Sequence, residues 1–452
     1  MNSVFLSGKT RSFQKWPFIF VVISLLVLLS RWYYVENFVV AMPFWDQWDA
    51  EGDWLLRPWV EGHFKMSDLW FPQNEHRLVP SHILTLLLFE VTGTWSNLTE
   101  ARVNIVLGAL TPLLLIWLLH RWGEIYKWRW LVVAVIICGA ILPFAWENIL
   151  FGFQSQFYFL CIFTLSALFL ASTRPYHAAS VSAIVVISIL SVLTMASGLL
   201  TPVAVAAVYS LHWLMAKKKH LQTIIIIVVL AGITVTAYLT MPYNPGHDFL
   251  HAQNFAEFSK ALIRVLGWPL TARKLITIVF WLPSAAILIT FLIKKKLSRT
   301  DVLMSGCFIW SALQAVAIAY GRGHEPGDVL SRYTDLLSLG LAGSAWFIVR
   351  ATEVFNPVGR FRYTFKIIAI LFFAAFFVSH KKRFRPGINS MKKSKELRTI
   401  QETNVYGYLR TGDAHYLQQG NIPYPDANRL QMLLDNRGIR RTLPPNGKAP
   451  VK

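Results

Sequence analysis

Long apolar runs alternate along this chain with short polar stretches, and many of the runs are long enough to cross a bilayer. A spanning helix takes roughly 20 mainly apolar residues. Segments that approach or reach this length lie at 16–30, 102–119, 130–144, 157–171, 178–195, 200–215, 221–241, 275–293, 302–320, 336–349 and 367–378. A further run at 82–91 is too short to span and reads as an interfacial or re-entrant helix. The pattern predicts an all-α polytopic membrane protein with about eleven transmembrane helices. No internal repeat, low-complexity tract or second apolar domain is visible. The chain divides into a membrane domain over 1–379, with a first outer loop at 42–101, and a polar extension over 380–452. Within the extension, NIPYPDANRLQMLLDNRG reads as a turn followed by a short amphipathic helix.

Composition agrees with a membrane protein. Of 452 residues, 54% are hydrophobic and 15% charged, and the mean hydropathy is +0.44, values a soluble domain of this size would find hard to keep in solution. The opening MNSVFLSGKTRSFQKW and the run behind it imitate a signal peptide, but no small-residue cleavage site comes after them, so the expectation is an uncleaved first helix. The net charge of +20 would point to nucleic acid in a soluble protein. Here the cations sit in short clusters between apolar runs, KKKH at 217–220, KKKLSR at 294–299 and GRFRYTFK at 359–366, as cytoplasmic loops facing anionic lipid do. Nucleic acid is therefore not an expected partner, whereas membrane lipid is. Cys138, Cys161 and Cys307 all fall in apolar runs and read as small core residues.

The charge clusters also predict a topology. With Lys9, Arg11 and Lys15 holding the N-terminus inside, the first helix delivers residue 42 onward to the outer face, and the eleven runs then alternate, leaving the tail outside. The cations of SHKKRFRPGINSMKK oppose that last step. The alternative is that the run at 367–378 does not cross and the tail stays inside. With the alternation kept, FWDQWD (44–49), FPQNEHR (71–77), FAWENILFGFQSQF (144–157), PYNPGHDFLHAQNF (242–255) and YGRGHEPGDVLSRYTD (320–335) share one face.

Each stretch has a plain reading beside a chemical one. FWDQWDAEGDW sets Asp46, Asp49, Glu51 and Asp53 among tryptophans. It is either a solvated loop above an aromatic belt or the source of a general base or cation ligand. Asp46 and Asp49, three apart, would share a face of a helical turn. In FPQNEHR, Asn74, Glu75, His76 and Arg77 either neutralise one another or offer His76 and Arg77 to a phosphate. In the 320–335 loop, Gly321, Gly323, Pro326 and Gly327 shape a turn carrying Arg322, His324, Glu325, Asp328, Arg332 and Tyr333, a set suited to an anionic ligand. Glu147, Asn148, Gln154 and Gln156 beside aromatic rings suit a sugar, although a membrane-interface belt explains the rings equally well. HEXXH, Walker, GxGxxG and CxxC signatures are lacking, which argues against a zinc protease, a nucleotide-driven pump and a dinucleotide enzyme. The NLT at 97–99 matches a glycosylation sequon.

Taken together, an uncharged first helix, an acidic outer loop, a second motif before a short interfacial helix and a spanning helix ending in basic residues resemble the GT-C superfamily of polyprenyl-phosphate-sugar-dependent glycosyltransferases. The stretch FEVTGTWSNLTEARVNIVLGALTPLLLIWLLHRW (89–122) is similar to the family pattern, with Arg102 and the His120–Arg121 pair at matching positions. Where many members have a His-Pro-Pro-like stretch, this chain has NEHRLVP, which puts the roles of His76 and Arg77 in question. WDQW, NEHR, WENILFGFQ and SRY are together similar to bacterial and phage-type O-antigen glucosyltransferases.

The resemblance implies inverting transfer of a hexose such as glucose from undecaprenyl phosphate to an O-antigen or lipopolysaccharide acceptor, at the periplasmic face of a bacterial inner membrane. It puts the catalytic acid on Asp46, with Asp49 as its competitor. Arg332, Arg322, His324, Arg77 and His76 would serve the donor phosphate, and Glu75, Asn74, Glu147, Asn148, Gln154 and Tyr333 the sugar or acceptor. No nucleotide is needed, because the lipid already carries an activated sugar, and no particular cofactor is implied, while the acidic cluster is compatible with a divalent cation. A flippase and a donor-synthesising enzyme would be its pathway partners. The competing classes are a transporter or flippase of a lipid-linked substrate, which would place ionisable residues near the midplane, an O-antigen ligase or polymerase, and a structural scaffold.

Overall fold

The computed structural model describes residues 4–269, 274–325, 327–355 and 363–445, with side chains described except at 4–14 and 274–279. The chain is an all-α polytopic membrane protein, and no β-strand forms among the described residues. Its helices are α1 (Val4–Phe38), α2 (Arg57–Val60), α3 (Val79–Thr92), α4 (Asn97–Arg121), α5 (Trp130–Ile141), α6 (Trp146–Leu150), α7 (Ser155–Thr173), α8 (Ala178–Val192) and α9 (Leu200–Met215). Next come α10 (Leu221–Leu239), α11 (Phe255–Leu266), α12 (Lys274–Ile293), α13 (Arg299–Gly321), α14 (Thr334–Val354), α15 (Thr364–Thr411), α16 (Ala427–Asp435) and α17 (Arg437–Thr442). Each of the eleven expected runs lies in one of α1, α4, α5, α7, α8, α9, α10, α12, α13, α14 and α15. Eight stretches of the described chain are long and apolar enough to cross a membrane, and an eleven-fold crossing also requires α8, α12 and α14.

Ends of elements reflect local chemistry. Ser298 caps α13, its Oγ accepting from the Asp301 N–H while Asp301 Oδ2 accepts from the Ser298 N–H, so both exposed donors of the first turn are satisfied. The expected interfacial helix is α3. It opens with Pro80 in its first turn and stops at Gly93, whose φ of 68° suits a residue without Cβ. Val79, His82 and Leu86 face inward, whereas Ile83, Leu87 and Val91, spaced by four, form an exposed apolar stripe, as in a helix lying at an interface.

The main core joins the spanning helices, with Trp310, Trp346, Tyr209, Phe280 and Phe372 enclosed. Cys161 and Cys307 are buried in it and no cysteine is bonded, as expected. A second core lies at one end of the bundle and is made by chain segments far apart in sequence. Trp48, Leu55, Leu56 and Trp95 of the first loop pack with Val405, Tyr408, Leu430, Leu434 and Ile439 of the polar extension. Backbone bonds from Trp45 N–H to Pro423 O (2.7 Å) and from Trp95 N–H to Thr442 O (2.6 Å) stitch the two together.

Three expectations change. The boundary at 379/380 falls inside α15, which continues unbroken to Thr411. At 48 residues it is roughly 70 Å long and brings the tail to the same end of the bundle as the first loop. Of the cations in SHKKRFRPGINSMKK, Arg383 pairs with Asp328 at 3.2 Å, and Lys395 just after them donates to the Asn37 carbonyl at 2.8 Å. The first helix is not uncharged, because it continues past Ser30 through Arg31 and Glu36. Finally, Asn97 of the sequon is enclosed and donates to the Val40 and Leu150 carbonyls, so it offers no amide to a glycan. Pro326, residues 359–362 of the basic segment 359–366 and the side chains of Lys9 and Arg11 lie outside the described residues.

Candidate functional site

The five polar stretches that charge alternation assigned to one face converge at the end of the bundle where the second core lies. Their framework is backbone and amide bonding. Gln73 and His76 exchange two backbone bonds of 2.9 Å, closing FPQNEHR into a tight turn with Asn74 and Leu78 in the left-handed region at φ 52° and 55°. The 240–248 loop clasps this turn. Asn244 Nδ2 donates to Asn74 Oδ1 at 2.8 Å, His247 Nδ1 lies 2.8 Å from Glu75 Oε1, and Arg77 Nη2 donates to the Thr240 carbonyl. WEN and SRY form a second joined piece. Glu147 Oε2 accepts from Ser331 Oγ (2.5 Å) and Arg332 N–H (3.1 Å), and Asn148 Nδ2 donates to the Arg332 carbonyl and to Asp335 Oδ2, both at 2.9 Å.

Asp46 sits between these two pieces. It comes after Trp45, held in the left-handed region at φ 55°, and directly precedes the turn into a π-helix over Trp48–Leu56. A non-glycine residue held there costs free energy, and such strain collects at functional sites. Asp46 Oδ1 accepts one side-chain hydrogen bond, from Gln73 Nε2 at 3.2 Å. Partial burial raises its carboxyl above the ordinary value, and the charge of Arg332, the Gln73 bond and His247 pull the other way. The acid is therefore a stronger base than a free aspartate and faces a guanidinium.

Asp49 does not share that setting. The chain winds as a π-helix, and Asp49 turns to the tail, where Oδ1 accepts from Arg429 Nη2 (2.8 Å) and Nε (3.2 Å) and Oδ2 accepts from Tyr424 Oη (2.6 Å). Arg429 also reaches Asp53 at 2.6 Å. Both oxygens of Asp49 are thus committed to holding the tail, while its charge still reaches Asp46 and raises that carboxyl.

The expected anion-binding residues divide. Arg332 is near Asp46, lies 3.6 Å from Glu147 Oε1 and stacks toward Tyr333, and Arg322 Nε donates to Tyr333 Oη at 3.1 Å. Arg322, Arg332 and His247 all act electrostatically on His76. Burial pushes His76 down to about 4, and its Nδ1 accepts from the Ala196 N–H at 3.2 Å, so it is neutral and serves as a hydrogen-bonding group instead of a cation. His324 is exposed and pairs with Glu257 at 3.2 Å, away from Asp46, and Arg77 is held by α10. Among the expected sugar ligands, Glu75, Tyr333 and Glu147 line the convergence. The Nδ2 group of Asn148 is occupied by the SRY segment, and Gln154 is buried against Gln156 at 3.0 Å.

Several contributors were not singled out from sequence. His247 lay in a polar stretch already noted. Arg398 of α15 comes from a segment with no motif. Its guanidinium stacks 3.8 Å from the Phe44 ring centroid, and its Nη1 is buried with no hydrogen-bond partner among the described residues. Behind Asp46, Gln47 Nε2 donates to Glu51 Oε2 (2.9 Å) and Glu100 Oε2 (2.8 Å), while Gln47 Oε1 accepts from the Phe44 N–H at 3.0 Å. Thr85 and Trp95 complete this buried carboxyl pair. Burial pushes Glu51 up to about 7, and the pair fixes the turn carrying Asp46. Among the described residues no group of three or more His, Cys, Asp or Glu is arranged to hold a metal ion.

Compared with family models, curated proteins and solved structures, the chain finds no match. Its activity is therefore inferred from the chemistry of the site and from the resemblance of its motifs.

Proposed function

We propose that this protein is a GT-C-like glycosyltransferase of the bacterial inner membrane. It transfers a hexose such as glucose from an undecaprenyl-phosphate-linked donor to an O-antigen or lipopolysaccharide acceptor at the periplasmic face. The observation that carries this is the pairing, at one end of an apolar bundle, of a proton acceptor, Asp46, with a guanidinium, Arg332, held within its electrostatic reach. The acceptor hydroxyl attacks the anomeric carbon from the side opposite the phosphate and gives its proton to Asp46, while the bond from that carbon to the phosphate oxygen breaks with inversion. A phosphate leaving group takes the bonding electron pair without needing a proton. Arg332 and Arg322 stabilise the charge it gains. The raised carboxyl of Asp46 makes it a stronger proton acceptor than an ordinary aspartate.

Asp46→Asn and Asp49→Asn distinguish this assignment from a generally acidic loop. In vesicles supplied with lipid-linked sugar and acceptor, Asp46→Asn lowers transfer by roughly 10²–10⁴-fold with insertion unchanged, whereas Asp49→Asn retains transfer and loosens the tail. Wild-type transfer by Asp46→Asn would overturn the assignment of the base.

A carrier of lipid-linked substrate is the second reading, favoured by the ionisable residues Arg31 and Asp335 around a cavity inside the bundle. Purified protein in detergent separates the two, since a carrier forms no glycosylated product there.

A further inference from the structure

Below the site lies a cavity of about 50 Å³, lined by α1, α4, α5, α7, α14 and α15 together with Trp268. Most of its lining is apolar, yet Arg31, Thr111, Tyr158, Asp335 and His380 also face it. Arg31 lies seven residues before the end of α1, roughly 10 Å along the helix axis from Phe38. It is 4% exposed, so its charge is withdrawn from solvent. The position is built for it. A Cβ on Gly108 would collide with Arg31 Nη1 and come within 2.9 Å of Tyr158 Cε1, so a glycine is what admits the guanidinium. Arg31 Nη1 donates to Tyr158 Oη at 3.2 Å, and Asp335 accepts from Asn148. Arg31 and Asp335 face one cavity without being each other's direct hydrogen-bond partner.

Three polar atoms on this cavity's residues, Arg31 Nε, Thr111 Oγ1 and His380 Nε2, are buried without a partner among the described residues. Leaving such groups unmatched is costly, and a polar cavity with several of them is the setting in which buried water is held. The 50 Å³ available exceeds the roughly 10–15 Å³ that a single buried water needs. The lining holds a carboxyl, a phenol and an imidazole as well as the Arg31 guanidinium, which favours water over a single anion.

We propose that the cavity is a hydrated chamber in which bound water bridges Arg31 to Asp335, and that this link positions the two halves of the site. Arg31 belongs to the helix leading into the Asp46 loop. Asp335 begins the helix after Arg332, and Asn148 ties its carboxyl to the Arg332 carbonyl. The chamber therefore sets how far Asp46 stands from Arg332. Arg31 and Asp335 are positioning residues, and their importance rests on the reading of Asp46 and Arg332 as one site.

The test needs no activity, so its failure would leave the catalytic assignment standing. Spin-labelled unnatural residues at the exposed positions Trp45 and Asp328 report the separation of the halves in the full chain in lipid nanodiscs. Arg31→Gln and Asp335→Asn each broaden and shift the distance distribution, and Arg31→Lys keeps it narrow. Pulsed hydroxyl-radical labelling of the otherwise native chain marks the cavity side chains Tyr158 and Phe376, and Ser338→Leu, which fills the chamber, removes the label. Distance distributions unchanged in both charge-removing variants would overturn the positioning role. Absence of label at Tyr158 and Phe376, or a phospholipid co-purifying stoichiometrically and lost with Arg31→Gln, would overturn the hydrated chamber.

Discussion

The two ends of the bundle use the same residue types to opposite effect. At the end bearing the KKKLSR cluster, Asp301 is fully buried and accepts from Trp346 Nε1 at 2.7 Å and from Arg350 at 3.1 and 3.2 Å. Arg129 grips Glu353 with two bonds of 2.9 and 2.7 Å and also contacts Glu124, which accepts from Thr300. Acids and guanidiniums there are matched mostly to one another in a network tying α5, α13 and α14, although Arg129 Nη1 touches Glu124 without forming a hydrogen bond. At the other end Asp46 accepts a single side-chain bond, Arg332 stands 3.6 Å from its carboxylate neighbour, and Arg398 keeps an unmatched Nη1. A charge whose bonding capacity is filled holds a fold, and one left partly open is available to a substrate.

Substitutions at the two ends should therefore fail in different ways. Asp301→Ala leaves Arg350 and Trp346 without their acceptor and should lower stability by about 3–5 kcal/mol, seen as a large fall in melting temperature in detergent. Arg332→Ala should lower sugar transfer by roughly 10²-fold while shifting the melting temperature little. A stability loss as large as that of Asp301→Ala would place Arg332 with that network. The smallest effect concerns the carboxyl pair behind Asp46. Glu51 is raised from an ordinary 4.5 to about 7 in the folded chain, so its contribution is fully present below about 4.5 and is lost as pH rises through about 7. Melting tracked by tryptophan fluorescence should decline across that window, and Glu51→Gln should flatten the decline.

Sequence carried the fold well because bilayer thickness imposes a length on apolar runs and lipid charge imposes a sign on loops. Those two constraints alone brought FWDQWD, NEHR, WEN and SRY to one end. They carried the roles of individual residues less well. Asp46 and Asp49 differ by three positions, and what separates them is Arg429, a residue remote in the chain. The charge on the first helix was hidden because the apolar run was taken to stop at Ser30, one residue before Arg31. The charge of His76 could not be read from composition, since it depends on burial and on the Ala196 amide. Glu100, half of the buried carboxyl pair, sits one turn into a spanning helix with no motif to mark it.

The tie between Asp49 and Arg429 joins residues 380 positions apart. During synthesis the acidic loop is made first and its clamp last, and at roughly 5–20 residues per second the interval is about 20–80 s. Throughout that time the Asp46 loop has no tail to pack against, so the second core cannot close. The site is completed only after α15 has carried the extension to the same end, and order of manufacture becomes a safeguard: a chain interrupted before Arg429 leaves its acidic loop unclamped.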